Sequence, residues 1–282
     1  MINLIKSDFY KILRTKSFYI CGALAAIFAA LGVIMMEIST KMQYSMYGLE
    51  DMYVSPYTGM YSLVTGLSNA TLFITIIVSM FIPSEFKFGT IKNIASRGVS
   101  RTNIYLSKLV ITVFVSVAYT LLCAVAAFTA GCFIAGVGEF SRATFLDILE
   151  CLALFLFAEI ALQSIFQMVG FLIRGTGWTT ITNIGSMLLL PTMVFNYIDL
   201  FVNACVAPWV ASVSWLNSWI KINNFSAGDY FPLSYLQKFT EIDVLHLDFF
   251  KHDLITGLIV CAVYIVLATT IGILNFRRRD VA

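Results

Sequence analysis

Six stretches of this chain stay apolar for about twenty residues or more, and that feature most narrows what it can fold into. A bilayer core about 30 Å thick is crossed by roughly 20 apolar residues in a helix. The runs are 17–36, 63–82, 108–135, 145–173, 179–197 and 254–274. A soluble core cannot absorb them. Apolar residues make up 59% of the 282 positions and charged residues only 12%, against about 25% charged in soluble proteins. The same figures exclude a disordered chain, a secreted disulfide scaffold and a nucleic-acid binder. The expected fold is all-α and integral to the membrane, one domain of six transmembrane helices, since no repeat or Ser/Gly-rich linker divides it. The first run begins like a signal peptide, but it stays apolar to Met36 and is too long for a cleaved segment.

Charge sets the expected orientation. Cytoplasmic flanks of spanning helices carry the excess of Lys and Arg. With the N-terminus inside, six crossings return the C-terminus inside. The inner set is then Lys6, Lys11, Arg14, Lys16, Lys87, Lys92, Arg97, Arg101, Lys108, Arg174 and Arg277 to Arg279. Lys41, Arg142, Lys221, Lys238 and Lys251 fall outside. This asymmetry is strong, and it argues against a seventh span at 199–222. That stretch carries Asp199, Asn203, Pro208 and Lys221 with three tryptophans, Trp209, Trp215 and Trp219. It is expected to be a re-entrant or interfacial helix within an outer region, 198–253.

Residues 1–16 read as an amphipathic helix in the inner interface. Leu4, Ile5, Phe9, Ile12 and Leu13 recur at helical spacing beside Lys6, Asp8, Lys11 and Arg14. The six cysteines form no C-x-x-C pair, so they read as packing residues rather than metal or redox groups. His246 and His252 lie among acids at a spacing that fits no metal motif. Tyr44, Tyr47, Tyr53, Tyr57 and Tyr61 crowd the first outer loop, where aromatic rings anchor at the membrane surface.

The inner loop 84–107 is the most informative segment. Pro83 is expected to end the second span, because its ring interrupts the helical ladder. A short helix seeded at Ser84 or Glu85 then presents Phe86, Ile91 and Ile94 amid Lys87, Lys92 and Arg97, and Gly98 lets the backbone reverse. An apolar ridge with basic flanks suits the docking of a soluble partner.

Glu85, Gly89-Thr90-Ile91, Ser96-Arg97-Gly98-Val99-Ser100-Arg101 and Leu106-Ser107-Lys108 resemble the intracellular loop of type 2 ATP-binding cassette (ABC) transporter permeases. The nearest likeness is to bacterial drug and lantibiotic or bacitracin self-protection exporters. The basic start, the outer region before the last span and the terminal Asn275-Phe-Arg-Arg-Arg-Asp280 agree with that layout. The resemblance implies a multi-pass permease of a bacterial plasma membrane that pairs with a second permease, identical or different. Each permease docks its loop on a separate cytosolic ATPase, and ATP and Mg²⁺ belong to that partner. Glu85, Phe86, Lys87, Gly89, Thr90, Ile91, Ile94, Arg97 and Arg101 are then the docking residues. The chain has no G-x-x-x-x-G-K-[ST] of its own, so no cofactor is expected in it.

A second set of polar residues lies at membrane depth. Glu159 stands about 20 Å from either end of the fourth run, with Gln163 and Gln167 following at i+4 and i+8 on one helical face. An acid at that depth normally faces a bundle interior or a water-filled cavity. With Asn69 and Asn183 it is read as lining a substrate route or a permease interface, or else as interhelical packing. An ATP-independent, proton-coupled transporter with Glu159 as carrier is the alternative. An intramembrane enzyme has no support: paired acids, H-E-x-x-H and Ser/His sets are all missing at membrane depth.

Overall fold

The computed structural model describes residues 2–48, 53–56, 58–138, 142–189, 232 and 249–278. The described elements are helical. α1 spans Ile2–Arg14, α2 Lys16–Met46, α3 Gly59–Thr65, α4 Ser68–Lys87, α5 Thr90–Ser96, α6 Arg101–Ala135, α7 Arg142–Ile173, α8 Thr176–Leu189 and α9 Phe249–Arg278. Five stretches are long and apolar enough to cross a membrane: α2, α3 with α4, α6, the Ile148–Ile173 part of α7, and the Gly257–Arg278 part of α9. The protein is therefore an all-α, multi-span membrane protein. α8 shows 14 residues, about 21 Å at 1.5 Å per residue, short of a crossing. The rest of the expected fifth span, and the expected outer region up to residue 248, lie outside the described residues.

The helices run longer than the apolar runs that announce them. α2 continues ten residues past Met36, and α6 begins seven residues before Lys108. Hydropathy marks only the part of a helix that meets hydrocarbon, whereas the backbone ladder continues until a breaker stops it. Thr15, in extended conformation, is the break between α1 and α2. Ser100 caps α6, its hydroxyl accepting from the Asn103 N–H.

α6 is the central post. α2, α3, α4 and α7 pack on it, α3 and α4 also touch α7, and α9 lies chiefly along α7. The approach of α3 to α6 depends on small residues. A Cβ on Gly66 would collide with Ala127, and one on Gly131 with the Ser62 side chain, so the backbones lie closer than larger residues permit. One buried cluster joins α1, α2, α4, α5, α6, Phe171 and Phe276, and a second joins α3, α7 and α9. The outer flanks remain apolar and uncovered: Ile20, Ile27 and Phe28 on α2 and Ile255, Ile259 and Val266 on α9 are all more than half exposed. A surface of this kind is matched by lipid tails.

The chain reverses so that the ends of α1, α4, α7 and α9 meet the starts of α2, α6 and α8. Contacts among Lys11, Glu85, Arg101, Phe171 and Phe276 place these ends together. Twelve of the thirteen cations expected inside belong to described residues of this end, and we refer to it as the basic end. At the opposite end Glu37 accepts from Ser55 at 2.7 Å and pairs with Lys41 at 3.3 Å, while the Tyr44 and Tyr53 rings stack edge to face.

Candidate functional site

The site begins where α4 overruns its proline. Pro83 does not end the span; the helix continues one more turn to Lys87. A proline removes one ladder hydrogen bond, and a membrane helix tolerates that loss when neighbouring groups hold the next turn. Here the residues just past Pro83 are the anchors. Glu85 is 5% exposed and enters an ion cluster, and the Phe86 ring packs at 5.5 Å from Phe171 and 6.2 Å from Phe276. The helix then closes with Phe88 N–H donating to Ser84 O and Gly89 N–H to Phe86 O. Gly89 has φ +66°, a left-handed conformation that glycine adopts without a Cβ clash. Thr90 Oγ1 donates to the Glu85 carbonyl at 3.0 Å, satisfying an otherwise open helix end.

The short helix of the elbow is therefore α5, starting at Thr90 rather than at Ser84 or Glu85. Ile91, 1% exposed, fastens it to the bundle, with Ile94 packed beside it. Lys87, Phe88, Lys92, Asn93 and Arg97 face outward. Gly98, with φ +82°, turns the chain into α6, as its position in the sequence implies. Arg101 donates to the carbonyls of Phe276 and Arg277 and so ties the elbow to the end of α9.

Behind α5 lies a buried ion cluster. Lys108 Nζ sits 2.7 Å from Asp8 Oδ1 and 2.5 Å from Glu85 Oε2. Lys11 Nζ lies 3.1 Å from Glu85 Oε1 and 3.8 Å from Asp8. Asp8 and Lys108 are wholly buried. Ser107 Oγ is within 3.1 Å of Asp8 Oδ2. The two carboxylates and two ammonium groups balance, which is what makes the burial of charge tolerable. They join α1, the last turn of α4 and the first two turns of α6, so α5 hangs from a charge-paired bracket.

Sequence reasoning grouped Asp8 and Lys108 with the general inner charges and did not pair them. The pattern held a signal all the same. Asp8 stands between Leu4 and Ile12 at i−4 and i+4, on the apolar stripe of α1. Lys108 likewise stands between Ile104 and Ile111.

The polar residues of the spans form a ladder, with α7 as its shared rail. Glu159 is wholly buried; Thr71 Oγ1 donates to its Oε2 and Gln163 Nε2 to its Oε1, both at 2.8 Å. Gln163 Nε2 also donates to Thr75 Oγ1 at 2.9 Å. Gln167 Oε1 lies 2.9 Å from Thr112 Oγ1, and its Nε2 donates to the Tyr105 carbonyl at 3.2 Å. Asn183 Nδ2 donates to Ser79 Oγ at 2.7 Å, linking α8 to α4. Glu159, Gln163, Gln167 and Asn183 thus engage α4 and α6 through one row of hydrogen bonds. Asn69 stands apart, against Gly32 of α2. The Gln163 and Asn183 carbonyl oxygens are buried without a partner.

With this geometry in place, the family can be read from the chain. The family model described as ABC-2 family transporter protein matches residues 4–190. The chain belongs to that family. The match covers two thirds of its length, from the first turn of α1 through α8, and so includes the ion bracket, the elbow and the whole polar ladder. No curated protein matches the chain. As an ABC-2 family member it is a membrane-embedded, non-catalytic permease module. Among the described residues no three His, Cys, Asp or Glu side chains group in a way that holds a metal ion.

Proposed function

We propose that this ABC-2 permease is the membrane half of an exporter in a bacterial plasma membrane, with its basic end and both termini in the cytosol. It works as one of a pair, with an identical or a different second permease. Its cargo is an amphipathic peptide or lipophilic drug moved outward. A separate cytosolic ATPase binds ATP and Mg²⁺ and supplies the work. Membership of the family supports the permease role; the bracketed elbow is the observation that carries the coupling.

For a motor to move the spans, its contact point must not simply swivel. α5 meets that need because its anchors are buried and its basic face is free. Glu85 and Ile91 act from within: one holds the bracket and the other pins the helix. The docking face is left to Lys87, Thr90, Ile94 and Arg97, with Phe88, Lys92 and Asn93 beside them, while Phe86, Gly89 and Arg101 set its position. A groove of about 360 Å³ between α1 and α5, lined by Asn3, Ser7, Lys11, Asn93 and Arg97 among others, offers a seat for an element of the ATPase. Closure of two ATPases then draws two elbows together, and the bracket passes that displacement to α6, a rigid-body transition driven from one contact.

The experiment is retention of a partner. Tagged wild-type protein, extracted from its native membrane, retains a chain that carries a P-loop. The variant Lys92→Glu/Arg97→Glu, with charge reversed only on exposed residues of α5 and its C-cap, folds and loses that chain. Failure of the wild type to retain any P-loop chain would remove the basis for the exporter reading.

A further inference from the structure

A recess at the basic end lies beside the docking face just described and shares Phe88 with it. It opens where α1 meets α2 and runs along α4, with a volume of about 270 Å³. Its walls are Ile12, Phe18, Ile77, Met80, Phe81 and Phe88. The extended Thr15 breaks the helix and splays Ile12 and Phe18 around the opening. On α4 and its C-cap the lining residues recur at Ile77, Met80, Phe81, Ser84 and Phe88, one continuous stripe. From Phe88 to Ile77 that stripe descends eleven residues, about 16 Å, roughly half of a 30 Å hydrocarbon core. The recess therefore has the depth of one leaflet.

Its volume lies below the approximately 300–1,000 Å³ typical of sites for drug-sized ligands. A slender apolar chain fits it better than a compact molecule. Exposed cations next in sequence to its lining residues suggest the other end of the occupant. Lys16 lies between the lining residues Thr15 and Ser17, and Lys87 lies three residues from Ser84 on nearly the same face of α4. Both lysines are exposed, and neither has an ion-pair partner among the described residues. Arg14 is exposed close by, over the Tyr10 ring. Asp8 and Glu85, the described carboxylates of the basic end, are already paired with Lys108 and Lys11. Lys16 and Lys87 thus stand next to an apolar slot with no ion pair among the described residues. We propose that this recess binds one anionic phospholipid, an acyl chain in the slot and the phosphate on Lys16 and Lys87. Basic pockets between spanning helices take lipid headgroups on this physical ground.

The assignment is independent of the exporter reading, because it concerns binding to the permease by itself. The test is lipid retention by the purified full chain, stripped in detergent and titrated with phosphatidylglycerol or phosphatidylcholine, with bound lipid counted by native mass spectrometry. Wild type holds one phosphatidylglycerol in preference to phosphatidylcholine. Lys16→Gln and Lys87→Gln each reduce that preference about fivefold, as expected for one lysine beside an anionic surface. Lys92→Gln, on α5, leaves it unchanged. Met80→Trp, which narrows the slot from its lipid-facing side, lowers the retention of both lipids.

Three results would overturn the proposal. One is equal retention of the two lipids by wild type. Another is a preference indifferent to both lysine changes. The third is displacement of the lipid by glycerophosphoglycerol at matched concentration, which would show that the slot takes no chain.

Discussion

Lys108 is wholly buried and faces two carboxylates, so its removal leaves charge stranded in a poorly hydrated place. Breaking a buried pair by deleting one partner costs about 3–5 kcal/mol, whereas neutralising every member is far less damaging. Lys108→Met is expected to lose about 3 kcal/mol of stability, and the triple variant Asp8→Asn/Glu85→Gln/Lys108→Met to recover most of it. Thermal unfolding in one fixed detergent measures both. A Lys108→Met protein as stable as Lys92→Met would show that the bracket contributes nothing. The other buried acid calls for a paired comparison. Glu159→Gln keeps an acceptor for Thr71 and is expected to stay within about 1 kcal/mol of wild type. Glu159→Leu orphans the Thr71 hydroxyl and removes one of the two acceptors of Gln163 Nε2, and is expected to cost about 2 kcal/mol. If Glu159 serves the cargo route as well as the packing, Glu159→Gln loses export in cells at unchanged protein level. Normal export by that variant would leave the ladder a purely structural device.

Among the elements, α5 is entered through a left-handed residue and left through another, Gly89 and Gly98. Gly89 holds φ +66° with open space around it, so a side chain there meets no neighbour and the penalty is that of the left-handed backbone alone, about 1–2 kcal/mol. Gly89→Val is expected to leave the bundle folded and to loosen α5, weakening ATPase retention while the unfolding temperature changes little; equal weakening by Gly177→Val would refute that link. The existence of this elbow was legible in the sequence, because apolar and basic residues alternate there between two long runs and a glycine marks the turn. Its internal arrangement was less so. The helix start was misplaced because Pro83 reads as a breaker on local grounds, and only the burial of Glu85 and Phe86 beyond it explains why the helix persists. Partners 74 to 100 residues apart, such as Lys11 with Glu85 and Asp8 with Lys108, leave no local trace beyond a charge in an apolar stripe. The stripe of Glu159, Gln163 and Gln167 was legible as one face of a helix. Its matching hydroxyls on α4 and α6 required the register between helices, which no single segment encodes.

At the scale of the whole molecule, the basic end is both an electrostatic and a mechanical unit. The Lys and Arg residues expected to set orientation by their excess inside include the two ammonium groups of the bracket, the basic face of α5 and the lysines of the proposed lipid recess. Reversing the topology would place all of these on the outer surface, away from cytosolic nucleotide and from an ATPase. Coupling and orientation therefore stand or fall together, and they can be tested together. In a background with the accessible native cysteines replaced, Lys92→Cys on α5 and Ser45→Cys at the opposite end of α2 provide single reporters. A membrane-impermeant maleimide added to intact cells is expected to label Ser45→Cys and to spare Lys92→Cys, and permeabilised cells to label both. Labelling of Lys92→Cys in intact cells would place the elbow outside and exclude a cytosolic motor. With the orientation in hand, vesicles holding this permease alone are expected to move no cargo with or without nucleotide, since the hydrogen-bonded ladder and the paired bracket hold one arrangement until a differential contact shifts it. Cargo movement by the isolated permease without nucleotide would mean that the bundle crosses between its states unaided, and that α5 serves some purpose other than receiving work.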